Sequence, residues 1–190
     1  EGGTLYLAME LLVGRTLAAE LRRLRGPMEL PRAADIVAQV LDSLEEAHDV
    51  GVLHRDLKPD NIYLLESSGA RDFIKVLDFG VAKIVGEAGT ASGAPGLTFG
   101  TPTYMSPEQM MGGEVDPRSD LYSLGVMLFE MLGGRPPFEG DSLLALARQK
   151  VRMVAPALRD VNPNCRPNPT LDRLLARLLA ANPADRPEDA

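Results

Sequence analysis

A single cysteine, Cys165, in 190 residues can form no internal disulfide, and no His/Cys cluster has the spacing of zinc ligands. A reducing compartment, the cytoplasm, is expected. No apolar run approaches the roughly 20 residues that a membrane span needs, so no membrane contact is expected within this segment, and any tether would lie outside it. Positive charge is in deficit: 20 Lys and Arg against 27 Asp and Glu give a net charge of −7. That balance disfavours nonspecific attraction to nucleic acid or anionic lipid, and no nucleic-acid partner is expected. The local run Arg22, Arg23 and Arg25 reads either as a small basic patch or as a solvated helix face. The sequence as given opens on Glu1, and within it no secretory or transit pattern and no internal repeat is visible.

What is present is one globular unit. The hydrophobic fraction of 45% with 25% charged residues is that of a soluble domain, and 190 residues build one substantial core rather than two. Thr4 to Glu10 alternates as a strand would, and Gly14 breaks the pattern before a helix from Leu17 to about Arg25. Pro31 suits a first helical turn. Ile36, Val37, Val40, Leu41 and Leu44 follow on one helical face, ending near His48. Ile62 to Leu65 and Phe73 to Leu77 read as a small hairpin. Leu121 to Leu132 is apolar nearly all round, which marks a helix inside the core. Ser142 to Val151 and Thr170 to Ala180 give two amphipathic helices. Residues 156–169 are Pro- and Asn-rich and read as irregular. Residues 86–96 are a Gly/Ala/Ser stretch with no core pattern. The fold class expected is α+β, mainly helical, with short strands next to the polar motifs.

Those motifs are His54-Arg55-Asp56-Leu57-Lys58-Pro59-Asp60-Asn61 and Asp78-Phe79-Gly80. Taken singly, Asp56, Lys58 and Asn61 read as an ordinary polar turn. Taken together, two carboxylates, an amide and an ammonium are the groups that phosphoryl transfer needs, because its nucleophile must be held in line while phosphate charge is neutralised. Three further stretches follow in order: Gly100 to Glu108, Asp120-Leu121-Tyr122-Ser123-Leu124-Gly125, and Arg186.

In this order the motifs resemble those of a eukaryotic-like serine/threonine protein kinase of the bacterial kind, and the match runs from Leu5 to Pro187. The resemblance implies a hinge strand and linker over residues 1–16, a kinase large lobe over 17–190 and an activation segment over 78–108. It implies ATP and Mg2+ as cofactors and the Ser/Thr hydroxyls of proteins as acceptors. Asp56 would take the hydroxyl proton and Lys58 would neutralise the transferring group. Asn61 and Asp78 would hold Mg2+, and Thr101 would contact Asp56 and Lys58. Met9, Glu10, Leu12 and Tyr63 would receive the nucleotide, with Met9 at the gatekeeper position and Tyr63, Leu64 and Leu65 as an apolar floor. Glu108 would pair with Arg186, and Asp120 would hydrogen-bond the backbone of the catalytic loop. Arg55 marks the type whose activation segment is phosphorylated, with Thr98 ahead of Thr90 and Ser92 as the site. Thr98-Phe99-Gly100-Thr101 is one residue tighter than the common spacing.

A glycine-rich loop, a strand Lys and a helix Glu complete such a site. No Gly-x-Gly-x-x-Gly precedes the hinge, so the small lobe is expected to be largely absent from these residues, and residues 1–190 alone are expected to transfer little phosphate. The alternative is a noncatalytic docking or scaffold module that uses the helices after Ser142. Intact Asp56, Lys58, Asn61 and Asp78 favour the enzyme, since a scaffold needs none of them. Glu139 and Asp141 read as turn residues rather than as a groove for basic peptides.

Overall fold

A computed structural model describes residues 9–66, 72–79, 102–165 and 168–190. Helix α4, Pro117–Gly133, is its centre: 14 of its 17 residues are buried. A helix with no polar stripe can satisfy its side chains only by being surrounded. Asp116 caps its start by accepting from the Arg118 N–H at 2.9 Å, and Gly134 at φ 79° ends it. The long helix α2, Leu30–Asp49, presents Ala33, Ile36, Val40 and Leu44 to the same core. Helix α7, Pro169–Leu178, approaches α4 so closely that a Cβ on Gly125 would lie 2.7 Å from the Leu178 Cβ.

Four shorter helices complete the description. Helix α1, Leu17–Leu24, starts on a Thr16 cap and stops at Arg25, whose φ of 53° is left-handed. Helix α3, Pro107–Met111, carries a Ser106/Gln109 capping box. Helix α5, Leu143–Arg152, starts on a Ser142 cap, and α6, Leu158–Val161, is a single turn. This last turn departs from the irregular path expected over 156–169; Asp160 reaches back to the Ala157 N–H and closes it.

Three antiparallel strands, β1 (Gly14–Thr16), β2 (Ile62–Leu65) and β3 (Phe73–Val76), run in the order β1-β2-β3. β2 and β3 pair antiparallel as expected of these two runs, with Val76 as the last residue of β3, and residues 67–71 between them lie outside the described residues. Gly14 lies within β1 instead of interrupting it: its φ is 152°, and a Cβ there would sit 2.0 Å from the Leu64 carbonyl oxygen. Glycine is thus the means by which β1 pairs with β2. Of the strand expected over 4–10, residues up to 8 lie outside the described residues, and Met9 and Glu10 are in no strand.

Candidate active site

The sheet and α4 converge on residues 54–61. Asp120, three residues into α4 and 1% exposed, accepts from the backbone N–H groups of His54 and Arg55 at 2.8 Å each. His48 Nε2, near the end of α2, stands 2.9 Å from the same carboxylate. A buried carboxylate thus spends its acceptors on loop backbone, as expected for Asp120, and holds a turn that has no regular structure of its own.

His54 is fully buried and its two nitrogens have different partners. Nδ1 lies 3.3 Å from the Asp56 N–H, which can only donate, so Nδ1 accepts. Nε2 then carries the proton and donates to the Leu77 carbonyl at 2.9 Å. Burial holds its pKa below the ordinary imidazole value, in keeping with this neutral tautomer. The ring also meets Phe79 at a centroid distance of 4.9 Å. One imidazole therefore joins the Asp56 turn to the backbone just before Asp78.

The polar groups expected to act together do meet. Lys58 Nζ donates to Asp56 Oδ2 at 2.7 Å, and Asn61 Nδ2 donates to the Asp56 carbonyl at 2.8 Å. A 3₁₀ turn, Pro59–Asn61, presents Asn61 immediately before β2. The Leu77 N–H donates to the Asn61 carbonyl at 2.8 Å, so Asn61 and Asp78 leave the same end of the β2–β3 hairpin. Arg55 and Asp78 both have left-handed backbones, φ 64° and 60°. Non-glycine residues in that region carry strain that the surroundings must hold. Asp56 is half exposed and Asp78 exposed, so both carboxylates can meet a ligand.

The nucleotide-facing expectations fare unevenly. Met9 is 67% exposed and Leu11 91%. The Tyr63 hydroxyl donates to the Leu12 carbonyl at 3.3 Å, and Glu10 forms an ion pair with Lys75. Leu64 is not part of a floor with Tyr63 and Leu65: period-two alternation turns Ile62 and Leu64 into the core and leaves Tyr63 and Leu65 on the other face. Thr101, Thr98, Thr90 and Ser92 lie outside the described residues.

Glu108 and Arg186 form the expected pair, at 2.7 and 2.9 Å in a two-pronged geometry, and Ser119 donates to the same carboxylate at 2.6 Å. Burial alone would raise the Glu108 pKa, but Arg186 and Ser119 hold it down to about 2. Of the arginine run, Arg23 is not merely solvated. It joins Arg15 and Arg32 around the fully buried Glu20, and Arg32 continues to Asp72 at 2.7 Å.

Some supporting residues escape a reading by motif. Gln109 Nε2 donates to the Arg55 carbonyl at 2.7 Å, bracing α3 against the Asp56 turn; the Ser-x-x-Gln spacing was its signal. Lys150 is buried on the apolar side of α5 one turn after Leu146, an i, i+4 position at which a lysine is out of place. Tyr104 donates to Glu130 at 2.6 Å, and no sequence pattern marks that pair.

Among the described residues no three His, Cys, Asp or Glu side chains gather as a metal site, and no helix is long and apolar enough to cross a membrane. Asn61 and Asp78 nonetheless suit Mg2+. That ion takes hard oxygen donors, commonly one or two from the protein with the rest from water and phosphate. The Asn61 amide nitrogen is committed to Asp56, which leaves its carbonyl oxygen to coordinate.

Comparison with known proteins places the relatives of this chain among protein kinases. Serine/threonine-protein kinase Pkn3 of Myxococcus xanthus is 44% identical over 192 residues, covering 100% of this chain and 35% of its own length. Serine/threonine-protein kinase PknL of Mycobacterium tuberculosis is 41% identical over 185 residues, covering 97% and 44%. The chain thus spans less than half the length of these relatives. The crystal structure of a doubly substituted Mycobacterium tuberculosis PknI kinase domain superposes with a TM-score of 0.69 at 25% identity, over 95% of this chain and 60% of that one. The family model for the protein kinase domain matches residues 1–189, and the chain therefore belongs to the protein kinase family.

Proposed function

We propose that this chain carries the catalytic loop of an ATP-dependent kinase that phosphorylates Ser and Thr hydroxyls of proteins. The observation that carries the reading is the joined set at Asp56: an accessible carboxylate 2.7 Å from the Lys58 ammonium, with its backbone carbonyl held by Asn61. The names of Pkn3 and PknL support serine/threonine specificity.

In this reading Asp56 orients the acceptor hydroxyl and takes its proton as the hydroxyl oxygen bonds to the γ-phosphorus of ATP and the bond to the bridging oxygen breaks, with ADP as the leaving group. Lys58, already on Asp56, offers its remaining N–H groups to the transferring oxygens. Asn61 and Asp78 would hold Mg2+, whose charge offsets that of the phosphates. The Glu10 and Leu12 backbones and the face of Tyr63 would receive the base, next to Met9. Thr101 would brace Asp56 and Lys58, and Thr98, Thr90 or Ser92 would carry a regulatory phosphate that pairs with Arg55. Residues 1–190 contain no Gly-x-Gly-x-x-Gly ahead of the hinge. We place them as hinge and large lobe, with the phosphate-covering elements supplied by a small lobe.

The test is ATP-dependent labelling of a mixed protein acceptor by the full-length protein and by its Asp56→Asn variant, with phosphoamino-acid analysis. Phosphoserine and phosphothreonine should form, and the variant should lose about 10²- to 10⁴-fold in rate while still binding nucleotide. Equal labelling by both proteins would overturn the reading. A product confined to phosphotyrosine would overturn its acceptor class.

A further inference from the structure

Residues 102–105 are held by a cation buried in an unusual way. Lys150 is 1% exposed, yet among the described residues no carboxylate pairs with it. Its Nζ instead donates to three carbonyls, those of Pro102 at 3.4 Å, Thr103 at 2.7 Å and Met105 at 2.5 Å. An ammonium has three N–H groups and a neutral amine two, so this cradle matches the charged form. Nζ also lies 5.2 Å from the centre of the Tyr122 ring, over which the Arg186 guanidinium stands at 4.8 Å.

The held segment faces the chemistry. The Tyr104 carbonyl accepts from Ser123 at 2.8 Å and its hydroxyl meets Glu130. Gln109, just beyond, braces the Arg55 carbonyl next to Asp56. Beside Tyr104 opens a cleft of about 320 Å³, lined by Tyr104 and Glu130, by Pro59 and Asp60, and by Arg22 and Arg25 at the end of α1. Tyr104 brings the clamped segment to one wall of that cleft, and the Pro59–Asn61 turn, which follows Asp56 and Lys58 in the chain, forms another. A methionine would fill the Lys150 site without burying a charge, and burying a cation is costly unless the bonds it makes are needed.

We propose that Lys150 is a positioning residue for the protein acceptor. By drawing the carbonyls of Pro102, Thr103 and Met105 together it sets the wall against which the acceptor chain lies beside Asp56. This rests on the phosphotransfer reading. The clamp is also conditional on pH. Burial pushes the Lys150 pKa down to about 7, and Glu108 of α3 is the acid that opposes the shift. The other groups turned toward it are the Tyr122 ring of α4 and Arg186, which is committed to Glu108. As pH rises through 7 the third N–H is lost and one carbonyl is released.

The experiment compares the full-length protein with Lys150→Met and Lys150→Arg in steady-state kinetics, varying protein acceptor and ATP separately between about pH 6 and 8.5. Lys150→Met should raise the acceptor KM about tenfold while leaving the ATP KM within about twofold. In the wild type the acceptor KM should climb across this range. In Lys150→Arg, whose guanidinium stays charged, it should stay flat. A Lys150→Met enzyme with the wild-type acceptor KM overturns the clamp, and so does a Lys150→Arg profile that follows the wild type. If Lys150→Met fails to fold, the wild-type and Lys150→Arg profiles decide alone. Absence of transfer by the wild type, with Asp56→Asn indistinguishable from it, overturns the phosphotransfer reading and the clamp with it.

Discussion

Replacing Arg186 by Met tests whether the Glu108 pair is a working tether. All five guanidinium N–H groups of Arg186 are used: two on Glu108, and one each on the carbonyls of Ala180, Ala181 and Arg118. Glu108 is 8% exposed. Methionine fills much of the volume but leaves that carboxylate buried without its cation, which costs about 3 to 5 kcal/mol. Linkage gives a similar figure. The Glu108 carboxyl titrates near 2 in the folded chain against an ordinary 4.5, and a shift of that size corresponds to about 3 kcal/mol. The sign follows from the depressed pKa: this stabilisation is complete above 4.5 and is lost as pH falls toward 2. In the variant, burial acts on Glu108 without Arg186, so its pKa moves up and protonation relieves the penalty. The stability gap between wild type and Arg186→Met should therefore be widest near pH 7 and narrow steadily below pH 5. With no Trp in the chain, urea unfolding followed by far-UV circular dichroism is the suitable assay. The double variant Arg186→Met/Glu108→Gln should recover part of the loss, since no orphan charge remains. A gap below about 1 kcal/mol, or one that does not change with pH, would refute the reasoning, because either result means the pair is solvated rather than buried.

Two further perturbations address the Asp56 turn and the sheet. Asp120→Asn replaces an acceptor by an amide nitrogen facing backbone donors, so it should cost about 2 to 3 kcal/mol and slow phosphotransfer at least tenfold with little change in ATP binding; a variant with wild-type turnover would show that the His54 and Arg55 N–H groups do not need it. Gly14→Ala places a methyl against the Leu64 carbonyl, and unfolding midpoints should fall by the equivalent of about 1 to 3 kcal/mol; an unchanged midpoint would mean that β1 does not pair as described.

Periodicity carried the helices well, because helix α4 and the stripe of α2 are statements about burial that a sequence makes directly. The polar pairs Glu108–Arg186 and Asp120 with the loop backbone were legible by a different route: 78 and 65 positions separate the partners, and only a motif order can join groups so far apart. Residues with neither signal were lost. Lys150 and Tyr104 act through partners 45 to 48 and 26 positions away, and although Tyr104 lies in the Gly100 to Glu108 stretch, no pattern in the sequence points to the partner of either. Glycine misled in the opposite direction. Gly14 looks like a strand breaker, whereas its missing Cβ is what lets two backbones come together, a distinction that exists only once the partner strand is known.

The buried charges share a logic that bears on how the site is built. Asp120, Glu108, Arg186 and Lys150 each spend most of their hydrogen-bonding capacity on irregular backbone or on one another, and all four surround α4 or belong to it. Residues 53–58 and 102–106 have no ladder of their own to satisfy their N–H and C=O groups, so they cannot be fixed by secondary structure. A core of leucine and methionine offers no directional bond with which to orient them. Charged side chains anchored in the rigid central helix, or packed against it, supply that direction and transmit its rigidity to Asp56. On this account the Asp56 turn is as rigid as α4, and loosening α4 at Gly125, where the Leu178 contact leaves no room for a methyl, should disturb the Asp56–Lys58 geometry without touching either residue.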